Sequence, residues 1–189
     1  MKLRIGLLAG LVALVYCCFA YAGPKEDAAA QRQQQKQENQ AQRAQQQAEN
    51  KEFRASLKGK SPEEKMAATE AHKEQQYEEN KAFSQQQHEE NMAYLKERLA
   101  SNTKLTDAQK GELINLFETQ YRENVSFREQ QHSENVAQLE QIANNSSLTM
   151  EQKKAAIRNL RSTQKQENAE YRQQQRAENK AALGDLKAK

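Results

Sequence analysis

Histidines at two corresponding places are the side chains of this chain best suited to holding a metal ion, because imidazole is a common metal ligand. His88 and His132 each follow a glutamine of a repeated phrase, and acidic residues stand close after both. A zinc site needs further ligands at helical spacing, and neither H-x-x-x-H nor H-E-x-x-H occurs. In the last of the eight phrases, Arg176 takes the place of the histidine. The sequence therefore predicts that no metal is bound.

Catalytic chemistry also lacks its usual signatures. The chain has no G-x-S-x-G nucleophile motif, no phosphate-binding P-loop and no dinucleotide-binding fingerprint. Carboxylates are abundant, but a catalytic pair needs a cleft that shifts its pKa, and few apolar residues are available to build one. We therefore expect no enzymatic activity, no catalytic residue and no cofactor.

Amide side chains carry the clearest pattern in the sequence. The phrase Q-x-x-E-N occurs eight times, as four pairs in which the two asparagines stand eleven residues apart. From one pair to the next the first asparagine advances by 41, 44 and 44 residues, so the chain consists of four copies of one unit. The asparagines are Asn39, Asn50, Asn80, Asn91, Asn124, Asn135, Asn168 and Asn179, and a glutamine lies four residues before each.

Each copy of the unit is predicted to form one long helix. Gln, Ala, Glu, Lys and Arg, which favour helices, fill the segments between three turns. Capping residues mark three helix starts, in Ser61-Pro62-Glu63-Glu64, in Thr106-Asp107-Ala108-Gln109 and in Thr149-Met150-Glu151-Gln152. We predict helices near residues 25–58, 62–101, 107–143 and 150–186.

The predicted fold is all-α, with four long antiparallel helices that form helical hairpin repeats of about 44 residues and pack as in a coiled coil. The alternative is one continuous helix, since 44 residues are four elevens and eleven residues make almost three whole turns. The capping residues favour separate helices. So does the three-residue deletion between copies, which the shortened first turn can absorb.

The glutamine and asparagine of each phrase share one face of their helix. Steps of four, three and four residues place Gln76, Asn80, Phe83 and Gln87 on one stripe. We predict that the stripe is a thin, partly polar seam in which amides hydrogen bond across helices and fix the register. The alternative is an exposed surface that binds a partner along its length. The predicted seam residues are Gln76, Asn80, Gln87, Asn91, Gln120, Asn124, Gln131, Asn135, Gln164, Asn168, Gln175 and Asn179.

The glutamate of each phrase lies one step off this stripe. We predict that it faces water beside Arg and Lys, where an ion pair one helical turn away stabilises a helix by only about 0.2 to 0.5 kcal/mol.

The first 22 residues have the pattern of a secretory signal peptide. Lys2 and Arg4 precede an apolar stretch from Ile5 to Phe19, and Ala20-Tyr21-Ala22 is a small-x-small cleavage site. The alternative is an uncleaved anchor, but the apolar stretch is short for a membrane span. We predict a mature domain of residues 23–189 that is periplasmic or secreted and has no membrane span. Because both cysteines lie in the signal segment, the mature domain has no thiol chemistry.

Composition predicts a thin core and excludes a basic nucleic-acid surface. Lys2 and Arg4 account for two of 29 basic residues, so the mature domain has 27 basic and 26 acidic residues. A nucleic-acid-binding protein needs a basic excess gathered on one face. Leu, Ile, Val and Phe supply only 20 of the 167 mature residues, so stability is expected to be marginal unless partners or self-association add burial.

Two of the helix starts carry a wider motif. The segments Leu105-Thr106-Asp107-Ala108-Gln109 and Leu148-Thr149-Met150-Glu151-Gln152 resemble the L-T-x-x-Q motif of the Spy and CpxP family. That family consists of small helical periplasmic proteins that act as envelope-stress chaperones or regulators and form cradle-like dimers. The resemblance covers about a dozen residues, and it implies an unfolded-protein client bound on a concave helical face.

The sequence favours the first of two functions and leaves the second as the alternative. The first is an exported, ATP-independent chaperone-like or envelope-stress binding protein, whose partners are protein clients. The residues that would contact clients are Phe83, Tyr94, Leu95, Phe127 and Tyr171. The second is a structural or spacer protein whose repeats self-associate as a homo-oligomer, since an array needs every unit to present the same seam.

Overall fold

The computed structural model describes residues 25–188, and regular structure in that range is entirely helical. The helices are α1 (Lys25–Ser56), α2 (Pro62–Ala100), α3 (Asp107–Asn144) and α4 (Met150–Ala188). They contain 32, 39, 38 and 39 residues, which at 1.5 Å per residue makes them about 48 to 59 Å long. The predicted all-α fold of four long helices is confirmed. The predicted signal segment, residues 1–22, lies outside the described residues.

Reciprocal capping boxes begin the second and third helices. The Ser61 hydroxyl accepts a hydrogen bond from the Glu64 amide at 3.2 Å, and the Glu64 carboxylate accepts one from the Ser61 amide at 2.7 Å. Thr106 and Gln109 make the same two bonds at 3.2 and 2.9 Å. The bonds from Ser61 to its carboxylate hold the pKa of Glu64 below its usual value. These boxes satisfy amides that the helix itself cannot pair.

Loss of the cap at Thr106 gives a testable stability change. We expect Thr106→Ala to lower the free energy of unfolding by about 1 kcal/mol, because the amide of Gln109 loses its hydroxyl acceptor. Thr106→Ser keeps an oxygen at this place and should have little effect. Urea denaturation followed by circular dichroism measures both, and equal losses for the two variants would contradict the capping role.

The described helices fall into two compact units, and in each unit two helices form an antiparallel hairpin. In the first hairpin, α1 and α2, Phe53 near the end of α1 stacks on His72 near the start of α2, with ring centroids 4.0 Å apart. In the second hairpin, α3 and α4, Phe127 stacks on Tyr171. The turn of the first hairpin contains Gly59 at φ +80, a left-handed conformation that glycine adopts without strain.

More polar than apolar side chains are buried in the described residues. The buried apolar side chains are Met92, Leu95, Leu99, Leu113, Phe117 and Leu183. The buried polar side chains are Gln35, Gln76, Ser84, Gln87, His88, Asn91, Arg98, Gln120, Asn124, Gln175 and Asn179. Seven of the latter are predicted seam residues, so the thin, partly polar Asn and Gln seam is confirmed.

None of the helices in residues 25–188 combines the length and apolar character needed to cross a membrane.

Candidate functional site

In five of the phrases, the asparagine side chain is hydrogen bonded to its own helix. In the first hairpin, the Nδ2 group of Asn39 donates to the main-chain carbonyl of Gln35 at 2.7 Å. The same bond joins Asn50 to Gln46, Asn80 to Gln76, Asn124 to Gln120 and Asn168 to Gln164, at 2.6 to 2.8 Å. Because Nδ2 is occupied in this way, Oδ1 is left to accept a bond from another group. The four-residue spacing of the phrase, about one helical turn, makes this arrangement possible.

Glutamines of α1 use that free oxygen across the first hairpin. Gln46 Nε2 donates to Asn80 Oδ1 at 2.9 Å, and Gln35 Nε2 donates to Asn91 Oδ1. We call these Gln-to-Asn bonds between facing helices the amide ladder. The two bonds lie eleven residues apart on both helices, and therefore the eleven-residue repeat sets the antiparallel register.

Two further positions of the same register face each other without the equivalent bond. Gln87 lies four residues before Asn91, and Asn39 lies four after Gln35, so this register places Gln87 opposite Asn39. The Nε2 atom of Gln87 and the Oδ1 atom of Asn39 are both buried and have no partner. An unpaired buried polar group costs about 1 to 3 kcal/mol. These two amides are the complementary donor and acceptor of an unformed bond of the ladder.

At the remaining facing pair of this register, a histidine side chain takes the place of the glutamine donor. The register places Gln76 opposite Asn50, but the Oδ1 atom of Asn50 lies 3.3 Å from His72 Nε2, and the buried Nε2 atom of Gln76 has no partner. The stack of His72 on Phe53 holds the imidazole at this place. His72 therefore belongs to the seam, although its isolated place in the sequence gave no sign of it.

The second hairpin carries the same phrase but makes different contacts. Phe127 and Tyr171 stack with ring centroids 3.9 Å apart and planes 7° from parallel. Gln175 Nε2 donates to the Tyr171 hydroxyl at 2.8 Å, and Gln131 Nε2 donates to Glu167 at 3.3 Å. These glutamines consequently do not bond to asparagines of the facing helix.

An aromatic pair explains this difference. The residue three positions after the first asparagine of each copy is aromatic in both helices of the second hairpin, Phe127 and Tyr171. In the first hairpin the same places hold Gln42 and Phe83. The stack and the tyrosine hydroxyl therefore replace part of the amide ladder in the second hairpin.

Burial, followed by the charges of Glu123 and Glu178, raises the pKa of Tyr171 to about 12. Because this value lies above the ordinary 10.0, the neutral phenol contributes stability that is complete below pH 10 and lost as the pH rises through about 12. We expect wild-type protein to lose more stability over this range than Tyr171→Phe, which shares every other titrating group. Chemical denaturation at a series of alkaline pH values tests this, and parallel curves would contradict it.

The glutamates of the phrase have neutral partners that the sequence interpretation missed. The glutamates were expected to lie beside Arg and Lys. Instead, glutamine side chains one turn earlier donate to the glutamate carboxylates at 2.8 to 2.9 Å. The pairs are Gln34 with Glu38, Gln45 with Glu49, Gln75 with Glu79, Gln86 with Glu90, Gln130 with Glu134 and Gln174 with Glu178. The full phrase is thus Q-Q-x-x-E-N in six of its eight copies, with Thr119 and Thr163 in the other two. The preceding glutamine was the signal that could have revealed these pairs.

None of the predicted seam residues is exposed. Gln76, Gln87, Asn91, Gln120, Asn124, Gln175 and Asn179 are buried, and Asn80, Gln131, Asn135, Gln164 and Asn168 are half-buried. Gln35 and Gln46, which the prediction left out, make the two cross-helix bonds of the ladder. They carry the same phrase as the other copies, so the repeat itself could have identified them.

The residues proposed to contact clients are not a free apolar surface. Leu95 is only 2% exposed and belongs to the core, so it offers no surface to a client in this conformation. Phe83 and Tyr94 are half-buried, and the half-buried Phe127 and Tyr171 cover each other. Among the described residues, the exposed large apolar side chains are Met66, Val136 and Met150, at separate places on three helices.

The histidines considered as metal ligands are not grouped with other ligands. His88 is buried and His132 is half-buried. Within residues 25–188, no three His, Cys, Asp or Glu side chains lie close enough to hold a metal ion together.

A groove of about 360 Å³ lies between α3 and α4 of the second hairpin. Glu134 and Glu167 contribute carboxylates to its wall, while Ile142 and Leu160 contribute apolar surface. The remaining lining residues are Gln131, Gln138, Ala156, Asn159, Thr163 and Gln164. The groove therefore presents both polar and apolar side chains.

Comparison with known proteins identifies no relative: no protein-family model matches the chain, and no curated protein or solved structure is significantly similar to it. The resemblance of the segments starting at Leu105 and Leu148 to the L-T-x-x-Q motif therefore stays a prediction.

Proposed function

We propose that this chain is an exported, non-enzymatic structural protein whose helical repeats associate with one another and act as a spacer. The observation that carries the proposal is the amide ladder, in which Gln46 and Gln35 of one helix donate to Asn80 and Asn91 of the facing helix. Export is supported by the signal-like pattern of residues 1–22.

The ladder favours assembly because it is self-complementary. Every helix carries both the donor, glutamine, and the acceptor, asparagine, at the same spacing. An α1 and an α2 that meet antiparallel can pair through these bonds, whether they belong to one chain or to two copies. Polar groups at a seam specify pairing and register more than they add stability. An assembly of repeats needs a seam of this kind in every unit.

A second candidate function is the chaperone-like binding of unfolded clients, and the groove between α3 and α4 favours it. Leu160 and Ile142 would contact apolar side chains of a client, and Glu134 and Glu167 would attract its basic ones. In this case the groove takes the role that the sequence had assigned to Phe127, Tyr171 and the other aromatic residues.

Light scattering of residues 23–189 over a concentration series tests the structural proposal. We expect the mean mass to rise with concentration, because the seam can form between copies. A constant monomer mass over the whole series would overturn it.

An aggregation assay tests the second candidate. Protein that slows the aggregation of an unfolded test client at an equimolar ratio would support chaperone-like binding. Leu160→Gln should weaken this effect and Val136→Ala, an exposed control on α3, should not, because only Leu160 lines the groove.

A further inference from the structure

The bonds that close the first hairpin do not depend on the covalent connection between its helices. The helix α1 supplies two donors, Gln35 and Gln46, and α2 supplies their acceptors, Asn91 and Asn80. A second copy of the chain offers the same acceptors in the same order on its own α2. The seam between α1 and α2 can therefore be remade between chains with every bond retained, provided that the connection opens.

The connection has few contacts that would resist opening. It consists of residues 57–61, of which 58–61 are exposed and Leu57 is half-buried. Its hydrogen bonds are short-range: the Lys58 amide donates to the Ala55 carbonyl, the Lys60 amide donates to the Leu57 carbonyl, and Ser61 bonds only to the first turn of α2. Gly59 holds the left-handed conformation of the turn, and a Cβ atom there would have no neighbour within 4 Å.

We propose that two copies of this chain exchange α1, so that α1 of each copy forms the amide ladder with α2 of the other, with residues 57–61 as the hinge. This inference rests on the proposed function and specifies its contact. The exchanged pair retains the bonds of Gln35 to Asn91 and of Gln46 to Asn80, now between chains, and loses only the turn at Gly59. The connection keeps α1 and α2 of one chain close together and therefore favours the closed hairpin at low protein concentration. The exchanged pair becomes more populated as the protein concentration rises.

Cysteine cross-linking between two variants of the full chain tests the exchange. Both variants carry Cys17→Ser and Cys18→Ser; one adds Gln35→Cys and the other adds Asn91→Cys. Because each variant has one cysteine, a disulfide between them joins two chains. The variants are unfolded together, refolded together at high concentration and oxidised, and the linked dimer is measured on a non-reducing gel.

A matched control separates this contact from random encounters. Ser84→Cys is a conservative change at a buried position of α2, about 10 Å along the helix from Asn91. A disulfide needs Cα atoms within about 7 Å of each other. Because the Gln35 amide bonds directly to Asn91, position 35 lies closer to position 91 than to position 84, and Gln35→Cys should link more readily to Asn91→Cys than to Ser84→Cys. We expect several times more linked dimer from the first mixture than from the second.

A hinge variant gives an independent measurement. Gly59→Val disfavours the left-handed conformation of the closed turn and should shift the balance toward the exchanged dimer by about tenfold. Gly184→Ala, a helical glycine with open space around it, should leave the balance unchanged. Sedimentation velocity at several concentrations measures monomer and dimer for both variants.

The results separate the exchange from the proposed function. Equal cross-linking of Gln35→Cys with Asn91→Cys and with Ser84→Cys would overturn the exchange, even if light scattering shows that the protein self-associates by another contact. A chain that stays monomeric and forms no linked dimer overturns both proposals. Selective linking to Asn91→Cys establishes the exchange, whether or not Gly59→Val folds.

Discussion

Replacing Phe117 by alanine is expected to lower the free energy of unfolding by about 3 to 5 kcal/mol. Phe117 is 1% exposed and, with Leu99, is one of the two largest fully buried side chains among the described residues. A small domain is typically stable by about 5 to 15 kcal/mol, and this protein has few buried apolar side chains to compensate for a cavity. We therefore expect much of the protein to be unfolded or loosely packed after this one change.

Chemical denaturation followed by circular dichroism measures the loss. Val136→Ala in the same helix is the control, because Val136 is 41% exposed and its substitution should change the free energy by no more than about 0.5 kcal/mol. Similar values for the two variants would show that Phe117 does not form part of a packed core.

Removing the acceptors of the amide ladder is expected to have the second large effect. Asn91→Ala leaves the buried amide of Gln35 without a partner, and Asn80→Ala removes the partner of the half-buried amide of Gln46. Each substitution should lower the free energy of unfolding by about 1 to 3 kcal/mol. The higher helix propensity of alanine offsets part of this loss. The two positions lie eleven residues apart, about 16 Å along the helix, so the costs should add in the double variant.

Two controls identify the cause of this loss. Asn115→Ala makes the same substitution at an exposed helical position and should be neutral or slightly stabilising. Replacing both Gln46 and Asn80 by leucine removes donor and acceptor together, and should cost much less than Asn80→Ala alone. If Asn80→Ala and Asn115→Ala have equal effects in urea denaturation, the ladder does not contribute to stability.

The same leucine pair also separates stability from specificity. Leucines at positions 46 and 80 can pack in several registers, whereas the bond of Gln46 to Asn80 forms in one. If this variant is stable but forms mixed oligomers, the amides fix the register of the helices and contribute little to the free energy of unfolding.

Local chemistry made the helices predictable. The starts at Ser61 and Thr106 could be inferred because a hydroxyl and a Glu or Gln three residues later satisfy the first amides of a helix within the segment itself. The seam could be inferred because a four-residue step always places Gln and Asn of one phrase on the same face. Neither inference requires knowledge of the facing helix.

The hydrogen-bond partner of each seam amide could not be predicted in the same way. Identical phrases place Gln46 against Asn80 in the first hairpin but Gln131 against Glu167 in the second. The difference depends on what lies across the seam, such as the stack of Phe127 on Tyr171, and on the His72 imidazole that reaches Asn50. Leu95, interpreted from the sequence as a contact for clients, became a core residue for the same reason.

By itself, the sequence determined the number of helices, their caps and the stripe of amides, because these depend on residues within about one turn of each other. Only the tertiary structure decided which amides bond across a hairpin. It also decided which amide atoms remain buried without a partner, among them Oδ1 of Asn39 and Nε2 of Gln87. A glutamine side chain can reach several acceptors on a facing helix, and packing around it selects one.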